Sequence, residues 1–148
     1  MSELTDILLD PALRPTLVER CVVLIDDEVA SKRGLSSLPI KGGFKAVKAV
    51  RPGFVRAVVD LLFDRFVEQL APYHDAWVAG GKAGGFGAHL QSHASAVANS
   101  LLVVTDERAA RSQMKGIKRV YDKLRPTAQG HVTSAIPGMG RILDPHVK

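Results

Sequence analysis

The chain has 148 residues, 46% of them apolar and 24% charged, with a formal net charge of +5. That is the length of one domain and the composition of a globular protein, which excludes a disordered or low-complexity chain. The lone Cys21 excludes an intrachain disulfide, and His89, Gln91, Ser92 and His93 make the longest uncharged span too polar to cross a membrane.

The opening "MSELTDILLD" is acidic and lacks the basic start of a signal peptide, so a cytoplasmic location with no transmembrane segment is expected. Asp10-Pro11 and Arg14-Pro15 place proline where a first helical turn accepts it, because that turn's amides have no internal partner. After Pro15, Leu17, Cys21, Leu24 and Ile25 share one side of a helix that Gly34 stops. The apolar neighbours of Cys21 predict a buried, inert thiol. Pro39 begins a second helix through Val50. Pro52 restarts the chain, and Phe54, Val58, Leu61, Leu62, Phe66 and Leu70 form the apolar face of a third helix. Arg56 and Asp60 are spaced to pair on its other side, and Pro72 ends or kinks it.

"PYHDAWVAGG" adds one or two turns, and "GGKAGGFG" is a glycine-rich linker. Small residues from Ala88 to Val104 predict a central helix that neighbours can approach closely. Thr105 or Asp106 caps the next helix, which breaks near Gly116 and resumes to Leu124. Beyond Pro126, the residues Gly130, Pro137, Gly138 and Gly140 predict one short helix and a terminal turn. Strand signals are almost absent. The expected fold is all-α, a single-domain compact bundle of about six to eight helices.

Two stretches align without gaps: "LPIKGGFKAVKAVRP" and "SQMKGIKRVYDKLRP". Lys41-Gly42 falls on Lys115-Gly116, Lys45 on Arg119, and Arg51-Pro52 on Arg125-Pro126. This allows two pseudo-repeated halves, 1–74 and 75–148, although the match fades elsewhere and local helix punctuation produces the same residues. Charge follows the same rhythm. Residues 1–30 carry seven acids and two bases, residues 31–56 seven bases and no acid, and residues 105–125 seven bases and three acids. Acidic helices packed beside basic ones would account for this within the chain. Alternatively, Lys41, Lys45 and Lys48, with Arg51, form a one-sided stripe for an anionic ligand or acidic protein partner, extended by Lys115 and Arg119.

The densest set of reactive side chains is "YHDAWVAGGKAGGFGAHLQSH". His89 and His93 are four apart, a spacing that can chelate a metal, with His74 and Asp75 available across the linker. The same histidines also serve as hydrogen-bonding groups in a tight helix interface. Lys82 is followed by Ala83, not by the Ser or Thr of a phosphate loop, so the linker reads as a hinge whose amides could still receive an anion. No catalytic residue is assigned and no cofactor is required. A modest charge, two tyrosines and one tryptophan disfavour nucleic acid.

The run "ELTDILLDPALRPTLVERCVVLIDDEVASKRG" followed by "LPIKGGFKAVKAVRPGFV" resembles small uncharacterised helical proteins of high-GC Gram-positive bacteria, over most of the chain. The resemblance implies a helical fold and brings no activity, substrate or catalytic residue. The sequence therefore points to a non-enzymatic binding or interaction protein, free to form a homo-oligomer, with the basic stripe as its contact surface. The alternatives are an enzyme or metal protein built on the His74, Asp75, His89 and His93 set, and a weak nucleic-acid binder.

Overall fold

In the computed structural model, which describes residues 2–34 and 37–147, the chain opens with a cap that satisfies otherwise orphaned amides. The Ser2 hydroxyl accepts from the Thr5 amide at 3.1 Å and starts α1 (Glu3–Leu8). α1 had no separate sequence signal, yet its Leu4 and Leu8 are fully buried. Asp10-Pro11 forms the turn after it instead of starting a helix, with the Asp10 carboxylate accepting from the Ala12 amide at 3.0 Å. α2 (Arg14–Ser31) begins at Arg14-Pro15, and Gly34 follows its end at φ +82°. α3 (Leu38–Val50) starts at Leu38-Pro39 and ends before Pro52, as the sequence predicts. Cys21 is half-buried, and burial pushes its thiol up to about 11.

From here the chain does not stop at its prolines. α4 (Phe54–Ala79) runs through Pro72, and α7 (Lys115–Leu143) runs unbroken through Pro126 and Pro137. An interior proline costs a helix about 3 kcal/mol. Leu70, His74 and Trp77 are buried near the first, and Ile136, Gly138, Gly140 and Leu143 near the last, so burial of the neighbouring residues offsets that cost while the rings themselves stay exposed.

The predicted central helix is also divided. α5 (Phe86–Ser92) and α6 (Ala94–Ala110) meet at His93, whose φ of −120° and ψ of 27° leave the helical region. Its Nδ1 lies 3.0 Å from the His89 carbonyl oxygen and 3.0 Å from the Ser92 hydroxyl, a side-chain substitute for the broken ladder. Thr105 and Asp106 lie inside α6 and cap nothing; the Thr105 hydroxyl donates back to the Leu102 carbonyl at 3.0 Å. In "GGKAGGFG", Gly81, Lys82 and Gly84 all have positive φ, which makes the segment a tight turn between α4 and α5.

The result is seven helices, and no strand among the described residues. α4 packs on α1, α2, α5 and α6, while α7 packs on α2, α3, α5 and α6. The two long helices form no packed pair with each other. One apolar cluster, with Leu17, Val67, Phe86, Val97 and Ile136 at its centre, serves the whole set. The division between 74 and 75 falls inside α4. Arg51-Pro52 closes a helix where Arg125-Pro126 lies within one. None of the described helices is long and apolar enough to cross a membrane.

Candidate functional site

Because α4 and α7 are not packed closely on each other, the bundle has to fill the space between them, and over the first half of each it does not. A cavity of about 630 Å³ remains, walled by α3 and the end of α6. α4 supplies Phe54, Val58, Leu62 and Phe66; α3 supplies Gly43, Phe44 and Val47; α7 supplies Ile117, Val120 and Leu124. Gly43 is small where it must be: a Cβ there would sit 3.0 Å from Leu124 Cδ1 and from Val120 Cγ1. The volume lies within the roughly 300–1,000 Å³ of small-molecule sites.

Charge in the lining is one-sided. Arg51, Arg108, Arg111 and Lys118 reach the cavity, and no aspartate, glutamate or histidine does. Arg51 has only soft partners. Its Nη1 is 3.7 Å from the Met114 sulfur and its guanidinium stands 5.8 Å over the Phe54 ring. Ser112 and Gln113 also line the cavity, and a polar network interrupts the apolar wall. The Tyr121 and Thr105 hydroxyls lie 2.7 Å apart, Tyr121 donates to the Asp106 carboxylate, and Arg125 donates to the same carboxylate at 2.8 and 3.1 Å. Arg125 and Tyr121 hold the Asp106 carboxyl below its usual range, and burial with Asp106 beside it pushes the Tyr121 phenol up to about 12.

A model described as a family of unknown function, DUF6918, matches residues 4–147. The chain belongs to the DUF6918 family. No curated protein and no solved structure matches it.

In this DUF6918 chain the predicted basic stripe is largely engaged with its own neighbours. Lys48 pairs with Asp26 at 2.9 Å, and Lys41 donates to the Ala30 carbonyl at 3.4 Å, so both face the acidic end of α2. Lys45 is exposed to solvent. Arg51 turns away from the stripe into the cavity. Lys115 and Arg119 are exposed on α7, outside the cavity lining. The charge rhythm is answered elsewhere too. Arg14 bonds Asp60 and Asp64 at 2.6 and 2.8 Å, and Arg65 bonds Glu107 at 2.8 Å. Arg56 pairs with Glu19 on α2, not with Asp60 one turn along its own helix.

The histidine set does not assemble. His74 is buried against Phe86 and Trp77, with ring centroids at 5.3 and 5.7 Å, and its Nδ1 has no hydrogen-bond partner. Asp75, the next residue on the helix, points 100° away and is exposed. His89 and His93 do stack, at 4.7 Å, and burial beside His93 lowers the His89 pKa. Among the described residues no three His, Cys, Asp or Glu side chains gather where a metal could be held. Where the glycine-rich segment enters α5, one amide meets an anion from within the chain: the Asp144 carboxylate accepts from the Gly87 amide at 2.8 Å.

Sequence reading missed the cavity, and with it Phe44, Phe54, Arg108, Arg111 and Tyr121. The available signal was Ile117, Val120, Tyr121 and Leu124 at i, i+3, i+4 and i+7, an apolar face beginning in the most basic part of the chain. Nothing in one sequence states whether such a face is filled by packing.

Proposed function

We propose that this protein is a non-enzymatic binding protein, and that its ligand is a largely apolar molecule with a negative charge, held in the cavity between α4 and α7. The observation that carries this reading is the lining: a mostly apolar cavity of about 630 Å³, open to solvent, with four exposed cations and no carboxylate. Arg51 is exposed, and the Met114 sulfur and the Phe54 ring are weak partners for its guanidinium; an anionic ligand would offer it charge-assisted hydrogen bonds instead. The lining offers no carboxylate, histidine or cysteine to act as general base or nucleophile, which favours binding over catalysis. The anionic-ligand role expected of the Lys41 stripe thus moves to Arg51 and the cations opposite it.

The test is saturable binding of an amphipathic anionic dye, anilinonaphthalene sulfonate, followed by fluorescence on the native full-length chain. One-to-one binding should be seen, and Ala109→Trp, which places an indole in the cavity, should reduce it at least tenfold. Equal binding by wild type and the filled variant would overturn the reading.

A further inference from the structure

The histidine set fails as a four-residue cluster, but half of it assembles where α5 meets α6. The ring centroids of His89 and His93 stand 4.7 Å apart. What surrounds Nδ1 fixes the tautomer of His93. The His89 carbonyl oxygen, 3.0 Å away, can only accept. The Ser92 hydroxyl donates to that same carbonyl at 2.7 Å, so its oxygen, 3.0 Å from Nδ1, is also left to accept. In the neutral ring Nδ1 therefore carries the hydrogen, and Nε2 holds the free lone pair. An imidazole that donates one nitrogen to a backbone carbonyl is oriented as metal-ligating histidines are. The ring separation fits one ion as well. With metal–nitrogen bonds of about 2.1 Å, each ring centroid lies about 3.2 Å from the metal. Centroids 4.7 Å apart then subtend about 95° at the ion, between the right angle of square-planar or octahedral sites and the tetrahedral angle.

We propose that His89 and His93 together bind a divalent first-row transition metal ion of the class that prefers imidazole: zinc, nickel or copper. His93 is exposed and His89 half-buried, so the ion arrives from solvent. Neither histidine lines the cavity, and the site is independent of the ligand reading above. Magnesium and calcium prefer oxygen ligands and are not held. Two protein ligands leave the other coordination positions to water. Sites with four protein ligands bind far more tightly, so a Kd on the order of 10 µM is expected for two. The consequence is mechanical. His93 is the residue at which the helical ladder breaks, and His89 lies one turn back on α5. An ion held by both ties the end of α5 to the junction. Because α5 packs on α4, α6 and α7, fixing that junction stiffens the contact of all four helices.

The experiment is calorimetric titration of the untagged full chain, near neutral pH, with zinc chloride and nickel chloride, and with magnesium chloride for comparison. One zinc or nickel ion per chain should bind, and magnesium should not. His89→Gln and, separately, His93→Gln should each weaken zinc binding at least tenfold, while His131→Gln on α7 leaves it unchanged. The His93 ring also bridges the backbone of the junction. His89→Gln, which keeps the carbonyl that His93 bonds, is therefore the decisive variant. Zinc should shift the imidazole proton resonances of His89 and His93 and leave those of His131 and His146 in place. It should also raise the Tm of wild type by mass action and not that of His89→Gln. No uptake at ten times the expected Kd would overturn the site. So would uptake spread over several weak positions, or uptake that His89→Gln does not weaken, since either marks adventitious binding.

Discussion

Asp106 gathers more than any other side chain near the cavity. It accepts two hydrogen bonds from Arg125 and one from Tyr121, and so ties α6 to α7 beside the ligand space. The Arg125–Asp106 pair is more than a third exposed, so the ion pair contributes under about 1 kcal/mol, and the phenol hydrogen bond adds about as much again. Arg125 and Tyr121 lower the Asp106 pKa in the folded state. Its contribution is therefore complete above the unfolded carboxylate value of about 4 and is lost as pH falls through the lower folded value. Asp106→Asn should cost about 1–2 kcal/mol at pH 7 in urea denaturation. The difference from wild type should shrink as pH drops below about 4. A deficit that stays constant down to pH 2 would show that the carboxylate charge is not what stabilises the helix pair.

At the scale of elements, α7 has four glycines with opposite roles. A Cβ on Gly140 would lie 2.8 Å from the Gly87 Cα, and backbone cannot move aside cheaply; a Cβ on Gly138 would meet the end of the Leu24 side chain at 2.4 Å. Gly116 and Gly130 face open space. Gly140→Ala should therefore destabilise by about 1–3 kcal/mol through overpacking against α5, with Gly138→Ala milder because Leu24 can rotate. Gly130→Ala should stabilise by up to about 1 kcal/mol, the ordinary helix preference for alanine. Thermal denaturation of the three variants checks the order, and a stabilised Gly140→Ala would contradict the close approach of α5 and α7. These glycines also show why helix identity was legible and continuity was not. Proline starts at Pro15 and Pro39 were readable because a first turn tolerates proline wherever it occurs. Whether Pro72, Pro126 or Pro137 stops a helix depends on what packs against the residues beside it, and that information lies in distant segments such as α2 and α5. The break at His93 was hidden for the same reason, since an imidazole that replaces a backbone partner looks like any other residue of a helical run.

Across the whole molecule, the charge rhythm was legible as a packing rule. The acids of α2 do stand beside the bases of α3 and α4, in Lys48–Asp26 and Arg56–Glu19. The site was legible only through Arg51, the last residue of the stripe, because the fold divides one basic face between solvent, the neighbouring α2 and the rim of a cavity. A bundle that leaves about 630 Å³ unfilled gives up dispersion contacts along every wall of it. Filling the space should therefore stabilise the empty protein while ending its use. Val58 lines the cavity from α4, and Val58→Phe should raise stability by about 0.5–2 kcal/mol, as cavity-filling changes commonly do. Ligand and substitution then compete for one volume. At a ligand concentration one hundred times Kd, wild type should gain about 2.7 kcal/mol by mass action, and the filled variant should gain almost nothing. Urea denaturation of both proteins, with and without anilinonaphthalene sulfonate, gives the four values needed. If Val58→Phe is stabilised by ligand as much as wild type, the ligand sits elsewhere. If Val58→Phe is strongly destabilised without ligand, the space between α4 and α7 is already occupied by packed side chains.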